Sequence, residues 1–422
     1  MLRDLIATAI SSKIIHESLE PIIRLLKEKT PQTFLILQTI TKALSDSTSI
    51  HDAIMRMQEG SSLLEVLSQK KSWQYIISRT FKKISVDEVE DIVNESLAKQ
   101  VEIARRYNLL GKILIIDQHE KAAWHKKHTE CLVSINPKKK PNHKGHRFYT
   151  GAVAGPITVF TRFLIDRGNT SSGEAFQVLM AHAETTLTIS KVFIDAGFYS
   201  VLTYDYAVKT NATVVGIAPR NSRVSRIILD HHRGLNYHYE PGMYLHKIGD
   251  VSIKLVVVPR SREKRVISND HDAKRIVKNY VAFVVSRVPD GFPESVRSRG
   301  RTGLVGAFRA WAFTLAEDYR KRELIEVLYR LASLIDARIG AHYASLRFFI
   351  FGLALVIVNI YSLVRGILRN LLFLWFRTSV RVVARAVFVW LRGISVVWDS
   401  DVFVGCFLGS SSRPPPHPDF TK

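Results

Sequence analysis

Two short runs constrain this chain more than anything else in it. Lys112-Ile113-Leu114-Ile115-Ile116-Asp117 and Val192-Phe193-Ile194-Asp195 are almost uncharged, rich in β-branched and aromatic residues, and each ends in an aspartate. A run of that kind, with no polar alternation, reads as a strand buried on both faces, as in the sheets of α/β proteins. Its last residue emerges at the strand's carboxyl end, where functional groups collect in open α/β sheets. Ala196-Gly197-Phe198-Tyr199-Ser200 follows the second aspartate, and the glycine suits a sharp turn into the next helix.

A third acid comes from a different kind of element. Tyr319, Arg322 and Glu326 are spaced Y-x2-R-x3-E on what reads as one amphipathic helix. At about 100° per residue, Arg322, Glu326 and Arg330 cluster on the side of Tyr319, while Leu324, Ile325, Leu328, Leu331 and Ala332 fall opposite. Such a stripe is either an ordinary ion-paired surface or the third member of an acid set. Two strand-end aspartates and a helical glutamate supply hard oxygen ligands suited to Mg²⁺ or Mn²⁺. Two such ions, about 4 Å apart, clamp the attacking and leaving oxygens of a phosphodiester. Asp205 lacks the strand-end setting and reads as structural. Glu323 is the rival third acid, but the spacing from Arg322 favours Glu326. His119 points the same way as Asp117 on an extended chain, as a surface residue or one that approaches a substrate phosphate.

These residues resemble the motifs of the DDE transposases of bacterial and archaeal insertion sequences, in the group whose third motif is Y-x2-R-x3-E-x6-K. Tyr319, Arg322 and Glu326 match it, and Ser333 stands where that group has lysine. The segment from Asp195 to Tyr199 is similar to the family's second-Asp motif, Ile115-Ile116-Asp117 to its first, and Leu346 to Leu355 to its closing apolar segment. The likeness runs from Gly111 to Arg365. It implies an RNase-H-like core with Asp117, Asp195 and Glu326 as the catalytic, metal-binding triad for two Mg²⁺ or Mn²⁺ ions. It also implies that Tyr319 and Arg322 contact the transposon-end backbone, with Arg330 able to compensate for the lysine lost at Ser333. The partner it implies is double-stranded DNA, both terminal repeats and target, bound by a homodimer, with no small-molecule substrate. The activity would be cleavage at transposon ends and strand transfer, in a cytoplasmic, nucleoid-associated prokaryotic protein. The alternatives are a metal-dependent nuclease without strand transfer, or a basic membrane-associated or DNA-binding protein without catalysis.

Composition agrees. The chain has 60 Lys and Arg against 38 Asp and Glu, a formal net charge of +22, which favours a polyanionic partner through counterion release. Basic ribosomal and membrane-surface proteins share that excess. With 422 residues, 46% hydrophobic and 23% charged, the chain is globular with room for two or three domains. Cys131 and Cys406 fit neither a disulfide framework nor a zinc module. The first apolar stretch carries Arg3 and Asp4 and no cleavage-type site, so an intracellular setting is expected.

The predicted fold class is α/β: an RNase-H-like catalytic core with a β-rich insertion, preceded by an all-helical N-terminal domain. Residues 1–108 form that helical domain, with Ser49 and Ser85 as N-caps and Glu88 completing a capping box. Its role is DNA-end binding, or else packing and dimerisation. Residues 109–218 hold the first part of the core, with strands at 112–117, 147–154, 157–165, 191–195 and 213–218 and a helix at 173–189. After Asp117 comes a basic loop with Lys126, Lys127, Lys138, Lys139, Lys140, Lys144 and Arg147 among His125, His128, His143 and His146. Beside a metal ligand, its Lys138, Lys139, Lys140, Lys144 and Arg147 are expected to bind DNA. Residues 219–315, too many for a plain connection, are the β-rich insertion, carrying strand-like runs at Val251 to Val258 and Tyr280 to Val285. Asp230-His231-His232 and Asp270-His271-Asp272 have no metal-site spacing and read as solvated turns.

Residues 316–365 close the core, and 366–422 are expected as a basic amphipathic helix and a disordered tail. Phe348 to Val364 is 17 residues without a charge, at the lower limit for a membrane span; the resemblance makes it a buried core helix. Arg377, Arg381, Arg385 and Arg392 share one helical face that suits a membrane surface or DNA.

Overall fold

A computed structural model describes residues 2–58, 70–122, 130–135, 144–234, 240–260, 273–289, 292, 302–337, 343–372 and 379–393. The described chain opens with helices α1 (Leu2–Lys29), α2 (Thr33–Asp46), α3 (Ile50–Gln58), α4 (Lys70–Lys82) and α5 (Val86–Arg106). Ser49 caps α3 by accepting from the Asp52 N–H at 3.0 Å. At α5 the expected capping box forms, Ser85 and Glu88 each accepting the other's backbone N–H, which satisfies two amides that the first turn leaves without intrahelical partners.

The sheet region follows as β1 (Ile113–Ala122), β2 (Val133–Ser134), β3 (Lys144–Ala154), β4 (Thr158–Ile165), α6 (Ser172–Thr186), β5 (Lys191–Ile194), α7 (Val201–Lys209) and β6 (Thr213–Ile217). Then come α8 (Ser222–Arg233), β7 (Gly242–Ile248), β8 (Val251–Pro259), α9 (Ala273–Lys278) and β9 (Tyr280–Val285). The chain closes with α10 (Thr302–Tyr319), α11 (Glu323–Leu334), α12 (Ala344–Leu372) and α13 (Val380–Gly393). All nine described strands join one sheet, ordered β4-β3-β1-β5-β6-β9-β8-β7, with β2 beside β4 on the outer edge of β3. The pairs β1·β5 and β5·β6 are parallel and the others antiparallel.

Two expectations change here. The strands expected within 219–315 do form, but they build no sheet of their own: β9 pairs antiparallel with β6, and β8 and β7 continue outward. Alternating apolar residues on β8 and β9 can then pack against helices on both faces, as the core strands do. The N-terminal helices likewise share a core with the sheet. Leu26, Leu44, Val93 and Leu97 lie in one apolar cluster with Phe148, Phe163 and the length of α12. Gly352 permits that approach, because a Cβ there would stand 2.4 Å from a methyl of Val93 on α5.

The edge strand β4 shows why α12 is interior. Asn359, within the uncharged run, donates to the Phe160 carbonyl and accepts from its N–H, both at 2.8 Å. Asn94 on α5 does the same for Phe163, at 2.8 and 2.7 Å, and Glu90 accepts from Ile165 N–H at 2.8 Å. The outward backbone groups of β4 are thereby satisfied by helix side chains, which closes an edge that would otherwise template further pairing. By length and composition α12 could cross a membrane, yet 83% of its most apolar window is buried within the protein. Beyond it, α13 is amphipathic as expected. It lays Val383, Val387 and Leu391 into the helical core and leaves Arg381 and Arg385 exposed. Arg377 and the tail from 394 onward lie outside the described residues, and so does the side chain of Arg392.

Candidate active site

Strand register brings the two sequence aspartates together. The parallel pairing of β1 with β5 ends at Ile116↔Ile194, so Asp117 and Asp195 are the next residues on neighbouring strands. β1 does not stop at Asp117 as expected. It continues to Ala122 against β3, with Asp117 opposite Thr150. β5 does stop, and Asp195 leads into the one-turn 3₁₀ helix Ala196–Phe198 without capping it through its side chain. Alternation along the strands puts both carboxylates on the face of Ile115 and Phe193. The first of these belongs to the apolar cluster under α11 and α12, the second to the cluster under α10. The site thus lies where α10 gives way to α11.

That junction breaks the single helix expected from the sequence. Residues Arg320–Arg322 form a 3₁₀ turn between α10 and α11, and the change in winding alters which side chains face inward. Tyr319 is only 7% exposed, and its hydroxyl donates to the Ile194 carbonyl at 2.6 Å. Burial pushes the phenol well above its ordinary range, so it stays protonated as a donor. The residue expected to contact DNA therefore buttresses the end of β5. Leu324, expected on the apolar side, is exposed, as are Val327 and Leu334. Ile325, Leu328, Tyr329 and Ala332 are the inward face of α11.

Arg322 faces the two strands. Its Nη1 stands 3.6 Å from Asp117 Oδ2 and its Nη2 donates to Glu326 Oε1 at 2.6 Å. The arginine side chain is 16% exposed, Asp117 10% and Glu326 47%. Burial pushes the Asp117 carboxyl up from 3.8 to about 6; Arg322 opposes the rise, and Asp195 and Glu326 add to it. Burial works against the Arg322 charge, but Tyr319, Asp117, Asp195 and Glu326 together hold the guanidinium above its ordinary value. Glu326 rather than Glu323 is the glutamate that reaches Arg322. Among the described residues, no group of three or more His, Cys, Asp or Glu is close enough to hold a metal ion. Asp117 and Glu326 are bridged by a guanidinium instead.

The surroundings hold α11 against the sheet. Tyr329 hydrogen-bonds to Thr150, and the His119 ring stacks on Tyr329 with centroids 4.4 Å apart. Tyr329 and Thr150 are 179 residues apart in sequence, so no spacing motif could have revealed the pair. A cleft of about 840 Å³ opens beside the site, bordered by Arg260, Arg320, Arg322 and Glu323 and floored by Phe283 and Tyr319.

The remaining expected residues separate. Arg330 is exposed on α11, and the Ser333 hydroxyl donates back to the Tyr329 carbonyl at 2.9 Å. Arg147, expected to bind DNA, is half-buried. It ion-pairs with Glu120 and Asp166, both at 3.2 Å, and donates to the Ser134 carbonyl. Lys144 is exposed at the start of β3. Lys138, Lys139 and Lys140 lie outside the described residues, as do Asp270, His271 and Asp272. Asp205 forms an exposed pair with Lys209 at 2.6 Å. His231 and His232 do not form a solvated turn: they are 5% and 7% exposed at the end of α8, where their rings meet Tyr280.

No protein-family model matches the chain, and no curated protein matches it in sequence. Among solved structures it is similar to the piggyBac transposase in a synaptic complex with hairpin DNA. The TM-score is 0.54 at 12% identity, over 99% of this chain and 88% of that one. The chain therefore shares that protein's fold.

Proposed function

We propose that this protein is a DNA transposase of the DDE type, cutting DNA at transposon ends and joining it to a target. The observation that carries the reading is the adjacency of Asp117 and Asp195 at the end of a parallel strand pair, with the Arg322–Glu326 couple across from them. The strand order supports it: antiparallel β4, β3 and β1 followed by parallel β5 and β6 is consistent with an RNase-H-like core. The likeness to a DNA-bound transposase supports DNA as the partner, and the net charge of +22 supplies the long-range attraction.

By its chemistry the donor set suits Mg²⁺ or Mn²⁺, and its acids must draw closer than they stand around Arg322 to hold one. It is made of carboxylate oxygens alone, and two of its members already share a positive group. Asp117, Asp195 and Glu326 would hold the ions, which supply Lewis-acid activation of the attacking oxygen and neutralise charge on the leaving one. The protein's own contribution is placement. The sheet fixes Asp117 and Asp195 at one level, Tyr319 holds the end of β5, and α11 presents Glu326 from the opposite side. Arg322 pairs with a backbone phosphate once its acids are otherwise engaged. Assembly as a homodimer on paired DNA ends belongs to the same proposal, as does kinship with insertion-sequence enzymes.

The test is Mg²⁺- or Mn²⁺-dependent cutting of DNA that carries the gene's own flanking sequences, by wild type, Glu326→Gln and Glu323→Gln. Loss of cutting in Glu326→Gln with DNA binding intact is expected. Loss confined to Glu323→Gln moves the third acid, and cutting without a joined product makes the protein a nuclease.

A further inference from the structure

We infer that Arg322 is a resident counter-cation, which holds Asp117 and Glu326 in the absence of metal and must release them before a divalent ion enters. The inference rests on the metal reading of this site. Its basis is geometric: one guanidinium spans two acids from different elements, Asp117 on β1 through Nη1 and Glu326 on α11 through Nη2. Glu326 could pair with Arg322 on any exposed helix, as an i,i+4 couple. Asp117 could not. It is buried, it comes from the far side of the junction, and the arginine turns inward to 16% exposure to meet it.

Neighbouring bases show that this placement is specific. Arg320 and Lys321, on the same 3₁₀ turn, point to solvent, and Lys321 pairs with Asp318 instead. The turn is anchored on its N-terminal side by the Tyr319 hydrogen bond to Ile194, so the arginine is delivered to the end of β5 by the same contact that supports Asp195. A guanidinium presents several N–H donors in a rigid fork and keeps its charge, which suits it to bridge carboxylates that would otherwise repel.

Two consequences follow. A metal ion needs the carboxylate oxygens that now face Arg322, so guanidinium and metal compete for one place. Once displaced, the guanidinium is left beside the site with its charge unpaired, which favours a phosphate. Metal loading and DNA engagement then strengthen each other, by a coupling that must be reciprocal.

Mn²⁺ titration of the full chain without DNA at pH 8, following free Mn²⁺ by electron paramagnetic resonance, tests the competition. Arg322→Gln should bind Mn²⁺ about tenfold more tightly than wild type, equivalent to about 1.4 kcal/mol, and adding Asp117→Asn should remove that binding. Arg322→Lys keeps the charge but loses the two-armed reach, so it should fall between them; it also serves if the glutamine variant does not fold. Unchanged or weaker Mn²⁺ binding in the folded Arg322 variants, with Asp117→Asn still abolishing it, overturns the inference and leaves the metal site standing. Mn²⁺ binding that is indifferent to Asp117→Asn in every background overturns both.

Discussion

The Tyr319 hydroxyl donates a 2.6 Å hydrogen bond to the carbonyl of Ile194, the residue before Asp195. A side chain expected at the DNA thus acts one layer beneath the carboxylates. Tyr319→Phe should cost about 1 kcal/mol of stability, the usual net worth of such a bond. Because it loosens the end of β5, metal-dependent cutting should fall about tenfold or more, while metal-free DNA affinity stays as in wild type. Fluorescence anisotropy on labelled DNA separates the two roles: weakened metal-free binding would return Tyr319 to the DNA surface.

Asp117 makes the metal-free protein pay for its own active site. With its carboxyl raised from 3.8 to about 6, the folded state holds a proton to higher pH than the unfolded chain does. Stability is therefore greatest below pH 4 for this group and is lost as pH rises through about 6. Asp117→Asn should be more stable than wild type at pH 7 without divalent ions, by about 1–3 kcal/mol, and the two should converge near pH 4. Chemical denaturation at several pH values checks the sign. A variant less stable than wild type at pH 7 would mean the Arg322 contact outweighs the burial cost.

His231 produces the opposite slope. Its Nε2 donates to the Glu240 carbonyl at 2.7 Å, which leaves Nδ1 to accept from the Tyr244 hydroxyl at 2.6 Å. Burial, the largest influence, pushes its pKa down from 6.5 to about 4. The unfolded chain then binds the proton first, and stability falls as pH drops from 6.5 to about 4, by up to about 3 kcal/mol. His231→Gln should flatten that decline. An unchanged acid limb would place the ring in contact with water.

Asn359 offers a test of where α12 resides. Asn359→Leu raises the apolarity of the helix, and in lipid it should be neutral or favourable. Packed against β4, it strips the Phe160 N–H and carbonyl of their partners, and a loss of about 2–4 kcal/mol is expected for two buried groups left unpaired. Thermal melting of the purified protein decides between them.

Local pattern was enough for the parts that depend on neighbouring residues. Apolar runs marked β1 and β5 and the aspartates that follow those runs, though not that β1 continues past Asp117, and Ser85 with Glu88 marked the start of α5, because strand burial and helix capping act over a few residues. The spacing of Arg322 and Glu326 likewise allowed their ion pair as one of two readings, because i,i+4 is a relation internal to one turn. What only the tertiary structure decided are relations across the chain. The Ile116↔Ile194 register sets the two aspartates side by side, and the pairing of β9 with β6 merges the expected insertion into the core sheet. The 3₁₀ turn at Arg320–Arg322 turned Tyr319 inward and Leu324 outward, which helical periodicity alone could not foresee. Asn359, inside the uncharged run, has a role only because β4 gives it a backbone to satisfy. Periodicity reports which face of an element is buried, but not what covers it; that is set by pairing and packing between residues tens to hundreds of positions apart.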